Sequence, residues 1–192
     1  MAHAVSYDVS NSFAGWLTSA GSIGANTLGN GNFVGVGCAP GVDCANVAAQ
    51  GVPGVSIAQV GGGSASYDAG GLLNNNAGGS YLEWTFATPQ NGWGGTFQMA
   101  VNNGLSMTAN DLVLGWTDVT SVGTNQSLNG FLGFTSADRF SGVRVGAIGG
   151  AASSYRMDTF AVAAVPEPSS WALMAGGLAL VGFCLRRRKT QD

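Results

Sequence analysis

Positive charge is scarce in this chain, and its placement tells more than its amount. Only 9% of residues are charged, against about 25% in an ordinary soluble domain. Before residue 186 the basic side chains are Arg139, Arg144 and Arg156. The remainder form one run, Arg186, Arg187, Arg188 and Lys189, and Lys189 is the sole lysine. A body so poor in cations cannot neutralise a phosphate backbone, which excludes nucleic acid as a partner. Histidine is scarcer still. His3 is the only one, so neither a Ser-His-Asp triad nor a Cys-His pair can be assembled, and a four-ligand zinc site is out of reach. No cofactor motif is present either. Gly29-Asn-Gly-Asn-Phe-Val-Gly35 is glycine-rich, but it misses the GxGxxG spacing and lacks a strand-helix setting.

Long helical periodicity is also missing from Val5 to Ala164. The 32 glycines and the shortage of Glu, Lys and Arg disfavour helices. Disorder is excluded by a hydrophobic content of 45% with aromatics spread along the chain. What is there instead is alternation. Leu82, Trp84 and Phe86 face opposite Tyr81, Glu83 and Thr85. Phe97, Met99 and Val101 share a side, as do Leu112, Leu114 and Trp116. Phe140, Gly142 and Arg144 oppose Ser141, Val143 and Val145, and Arg156, Asp158, Phe160 and Val162 oppose Tyr155, Met157, Thr159 and Ala161. Period-two segments broken by Asn-Gly, Gly-Gly and Pro-Gly turns predict an all-β, antiparallel β-sandwich of jelly-roll type over residues 5–164. Its expected core is Trp84, Phe86, Phe97, Met99, Leu112, Leu114, Trp116 and Val145. Residues 21–79 are looser, and long surface loops with short edge strands are expected there.

Carboxylates are the remaining route to catalysis. A glycosidase needs two of them facing each other across a cleft, and Glu83, the only Glu of the body, lies mid-strand on the side away from Trp84. Asp118 and Asp138 lie near turns, where turn formation accounts for them better than calcium does. The body therefore reads as non-enzymatic, with no cofactor and no metal. Trp93, in a Gly-rich turn, is a candidate glycan contact, with a place in the core as the alternative; Trp16 is a weaker one. Cys38 and Cys44, in Cys-Ala-Pro-Gly-Val-Asp-Cys, would close a small disulfide loop in an oxidising compartment, free thiols being the alternative.

Both ends carry export features. Ala2-His3-Ala4 fits the small-x-small pattern before a signal-peptidase cut, so residues 1–4 are expected to be a signal-peptide remnant, with coincidence in an Ala-rich chain as the alternative. At the other end, Val165-Pro166-Glu167-Pro168-Ser169-Ser170 leads into an uncharged run from Trp171 to Leu185, then the basic cluster. At ~1.5 Å per residue the run spans about 22 Å, short of the ~30 Å hydrocarbon core, and snorkelling arginines can make up the difference. Trp171 is placed as an interfacial anchor, and the cations of 186–192 set the C-terminus in the cytoplasm. A single transmembrane helix over 171–185 is expected, with residues 165–170 as its linker.

These residues closely resemble the PEP-CTERM sorting tail: Pro166-Glu167-Pro168, the Ser-Ser-Trp that follows, the Gly-rich apolar run and the terminal basic cluster come in the right order. Gly92–Phe97, Ala137–Val143 and Met157–Val162 also look like strands of the ectodomains that precede such tails. The resemblance implies processing by an exosortase near Pro-Glu-Pro, in a Gram-negative bacterium that makes exopolysaccharide. It implies transient anchoring in the inner membrane, then release to the cell surface or extracellular matrix. The first reading of the body is a structural or adhesive role in exopolysaccharide or biofilm, the second a carbohydrate-binding module, the third a glycan-acting hydrolase.

Overall fold

The computed structural model describes residues 4–39, 42–68, 70–101, 105–122, 126–147 and 153–165. Its elements follow in the order β1 (Asp8–Ser10), α1 (Phe13–Ser22), β2 (Thr27–Gly35), β3 (Val47–Gln50), β4 (Val55–Val60), β5 (Gly63–Asp68), β6 (Gly71–Asn76), β7 (Tyr81–Val101), β8 (Leu105–Asp111), β9 (Gly115–Val122), β10 (Gln126–Ala147) and β11 (Ser153–Ala164). The pairings are antiparallel throughout. The fold is all-β with one short helix.

The two long strands organise it. Leu82, Trp84 and Phe86 of β7 are buried, and so are Trp93 and Phe97 farther along, at the opposite parity. The switch falls where the β7–β10 ladder loses register, between Thr135 and Phe140 and again before Gly142. The nine residues from Trp84 to Trp93 would span about 30 Å if extended. Their rings lie 5.4 Å apart. Both strands therefore bend back at a corner over Ala87–Asn91 and Ser136–Phe140, as strands do at bulges. One layer holds β4, the first half of β7, the second half of β10, β8 and β9. The other holds β1, the first half of β10, the second half of β7, and β11, whose far edge is shared by β2 and β6, with β3 and β5 outermost. Two separate sheets were the expectation; one continuous ladder folded over its own core is the finding.

Trp84 is the centre of that core, with the rings of Phe33, Trp93 and Phe160 at 5.8, 5.4 and 5.0 Å. Phe86, Phe97 and Val145 are buried as expected. Leu112 and Leu114 are not: they sit in the turn after β8, with 55% and 46% of their surface exposed. Their alternation with Trp116 is lost because Asp111 closes that turn, its Oδ1 accepting from the N–H of Val113 and Leu114, both at 2.8 Å. Trp116 is half-buried on the outer face of its layer. The side chain of Met99 lies outside the described residues. In β11 a register shift between Met157 and Thr159 breaks strict alternation, so Tyr155 and Met157 point inward before it, Phe160 and Val162 after it. The stretch from 21 to 79 is more ordered than its composition predicts, holding β2 to β6 and lending Phe33 and Leu72 to the core.

Helix α1 was not expected at all. Ser12 caps it, accepting from the Gly15 N–H at 3.1 Å. Trp16 fastens it to the sheet: the side chain is fully buried and its indole N–H donates to the Phe134 carbonyl at 3.0 Å.

Burial pushes the Tyr155 hydroxyl far above its ordinary range, and Tyr7 is raised too, chiefly by burial and against its hydrogen bond with Thr117. The folded state thus keeps protons that the unfolded chain releases near pH 10. Their contribution is complete below that pH and falls as pH rises, by about 1.4 kcal/mol per pH unit for one proton. Tyr155→Phe is expected to leave stability at pH 7 unchanged or slightly higher, since the hydroxyl has no partner, and to flatten the decline between pH 10 and 11.5. Urea unfolding at stepped pH checks this; an unchanged slope would show the hydroxyl is not buried.

Candidate functional site

The outer face of the β4–β9 layer carries an organised group of polar and aromatic side chains. Ladder register sets Ala58, Glu83, Arg144, Thr108 and Asp118 in one line across β4, β7, β10, β8 and β9. Arg144 is the middle of it. Its guanidinium carbon lies 3.6 Å from the centre of the Trp116 ring and 4.4 Å from that of Tyr81. Its Nε donates to Glu83 at 2.8 Å. The ion pair is about 30% exposed on each side (29% and 28%), so it works as an orienting contact more than a source of stability.

The local sequence explains the geometry. In Gly142-Val143-Arg144-Val145-Gly146 the valines are fully buried, and glycine leaves the outer face bare on either side of the arginine. A Cβ at Gly142 would come 3.3 Å from the tip of the Trp116 ring and 2.8 Å from the Trp84 carbonyl. One at Gly146 would come 2.9 Å from the Tyr81 Cβ. The aromatic side chains approach so closely because those methyl groups are absent. Beside them runs a groove of about 350 Å³ lined by Tyr81, Ser106, Thr108, Trp116, Asp118 and Arg144. The arrangement offers planar donors, a carboxylate, hydroxyls and aromatic surface, with the guanidinium held rigid between two rings.

The residues singled out from sequence lie elsewhere. Trp93 is fully buried, packed on Trp84, Phe97 and Phe134, so its place is in the core and it cannot meet a glycan. Trp16 is equally buried, under α1. Cys38 and Cys44 are joined in a disulfide with Cα atoms 6.0 Å apart. Cys44 is tied to Tyr67 by reciprocal backbone bonds of 2.8 Å, at the end of the molecule away from the corner. Pro166, Glu167, Pro168, Trp171, Arg186, Arg187, Arg188 and Lys189 lie outside the described residues, as does the expected membrane helix. Among the described residues, no helix is long and apolar enough to cross a membrane, and no group of three or more His, Cys, Asp or Glu is placed to hold a metal.

Sequence reasoning missed Tyr81, Trp116 and Arg144 as a group. A signal was available: an arginine between two glycines on one strand parity, with valines on the other.

Residues 164–189 match the family model for the PEP-CTERM protein-sorting motif. The chain carries a PEP-CTERM sorting tail. The match spans the end of β11 and everything beyond it, and leaves the body unassigned. No curated protein sequence matches the chain. Among solved structures, the body is similar to a family 29 carbohydrate-binding module, at a TM-score of 0.50 and 10% identity over 71% of this chain and 89% of that one. A mutant of such a module complexed with mannohexaose gives 0.49 and 11%, over 71% and 91%. At that identity the likeness is one of fold.

Proposed function

We propose that this PEP-CTERM chain is an exported protein, processed by an exosortase near Pro166-Glu167-Pro168. Its body holds polysaccharide non-catalytically at the cell surface or in the extracellular matrix. The observation that carries the binding half is the Tyr81–Arg144–Trp116 stack beside a groove of hydroxyls and Asp118. Sugar rings present C–H faces to aromatic side chains and hydroxyls to planar donors and carboxylates, and this face offers both. The fold shared with a carbohydrate-binding module supports the reading. The disulfide supports an oxidising destination. Catalysis is disfavoured by spacing: Glu83 and Asp118 lie three strands apart, about 14 Å at ordinary strand separation, and Glu83 is turned onto the arginine between them. Retaining and inverting glycosidases hold their carboxyls about 5–10 Å apart.

Replacing Trp116 by alanine is expected to weaken glycan binding by about 10–30-fold, the usual effect of truncating an aromatic anchor, while leaving the unfolding midpoint nearly unchanged. Binding of the full chain and the variant to an array of neutral and acidic polysaccharides measures it. Equal binding by both would overturn the assignment of this face. For the sorting half, the mass and location of the protein should differ between cells with and without the exosortase; identical mass and location would overturn it.

A further inference from the structure

The turn after β8 presents Leu112, Val113 and Leu114 at 55%, 71% and 46% exposure. Turn tips usually carry Gly, Asn, Asp or Ser, and three consecutive exposed apolar residues call for a partner. The tip is rigid. Besides the Asp111 contacts that close it, the Leu112 N–H donates to the Arg139 carbonyl at 3.2 Å.

Its position relative to the C-terminal tail decides what the partner is. Val165, the last described residue, donates its N–H to Asn91 Oδ1 at 3.0 Å. Asn91 Nδ2 in turn donates to the carbonyls of Ser136 and Ala137, at 3.1 and 3.2 Å. Ala137 is two residues from Arg139, where the Leu112 contact lies. The tail therefore leaves the body at the same corner that presents the apolar tip. Leu28, 48% exposed, pairs with Ala163 beside that exit.

We infer that the Leu112–Leu114 tip rests in the outer surface of the lipid bilayer while the tail is anchored there; this builds on the anchoring part of the proposed function. The linker of residues 166–170 reaches at most about 17 Å when extended, so the tethered corner cannot leave the membrane surface. Tethering raises the local concentration of lipid around the tip enough for a weak contact to persist. A bilayer interface accepts an apolar turn without a shape-matched pocket. The contact holds the corner down, keeping Pro166-Glu167-Pro168 level with a membrane-embedded processing enzyme. It also turns the Tyr81–Arg144–Trp116 face sideways to the membrane, leaving it open to polymer.

The test uses the full chain reconstituted into phosphatidylethanolamine–phosphatidylglycerol vesicles. A polarity-sensitive fluorophore is placed at Val113→Cys, or at Val36→Cys toward the opposite end, in a Cys184→Ser background. Shallow lipid-borne quenchers are expected to remove at least half of the emission at position 113 and almost none at 36. Leu112→Ser together with Leu114→Ser should abolish the quenching at 113 while leaving the urea midpoint unchanged, because both side chains are exposed. Equal emission at the two positions on vesicle-bound chain would overturn the inference. So would protection at 113 that depends on protein concentration and not on lipid quenchers, which would make a second copy the partner. A chain that does not associate with vesicles would overturn the anchoring reading itself, and glycan binding would be untouched by that result.

Discussion

Trp84→Ala is expected to remove about 3–5 kcal/mol of stability, a large part of the roughly 5–15 kcal/mol available to a domain. Trp84 is fully buried where the folded-over sheet meets itself, against Phe33 from β2, Trp93 from the other half of its own strand, and Phe160 from β11. Its indole N–H has no hydrogen-bond partner, so the loss is one of packing alone. Trp84→Phe keeps the aromatic contacts and should cost only about 1–2 kcal/mol. Urea unfolding of the two variants checks the prediction by its order as well as its size. A loss below 1 kcal/mol for alanine would mean the layers do not close on this residue.

Asn91→Leu should be the most damaging change among the buried polar residues, at about 2–4 kcal/mol. Asn91 is 1% exposed, and its amide satisfies two carbonyls at the bend of β10 and the N–H of Val165. Leucine fills similar space but leaves those groups unpaired, which is the expensive way to lose hydrogen bonds. Asn91→Asp should fall between, since the carboxylate can still accept from Val165 but cannot donate. Faster amide exchange at Ala164 and Val165 is the specific signature. An unchanged exchange rate there would show that the asparagine does not hold the exit strand.

Much of this was legible in the residues. The β class followed from alternation and from the shortage of helix formers, and the tail declared itself through four elements in order. What alternation could not supply was where it stops. Leu112 and Leu114 continue the parity of Trp116 on paper, yet Asp111 ends the strand before them. Asp158 sits at a bulge that swaps the faces of β11. Helix α1 has no charged face to announce it and exists because Trp16 docks on the sheet. The candidate site was invisible for a related reason. Tyr81, Trp116 and Arg144 lie on three strands, and only the β7–β10 and β8–β9 registers bring them together. Trp93, the aromatic that looked exposed by its glycine neighbours, is buried because the bend at the corner turns it inward.

The placement of β11 has a mechanical consequence. Traction on the C-terminus enters at Val165 and runs along this strand, which is flanked by β7 on one side and by β2 and β6 on the other. If polymer grips the outer face of the far layer, the load passes lengthwise between β11 and β7, across bonds lying perpendicular to it. Such bonds share the load and must fail together, whereas a strand peeled from its end loses them one by one. Between its moorings, the domain is arranged to resist being drawn apart.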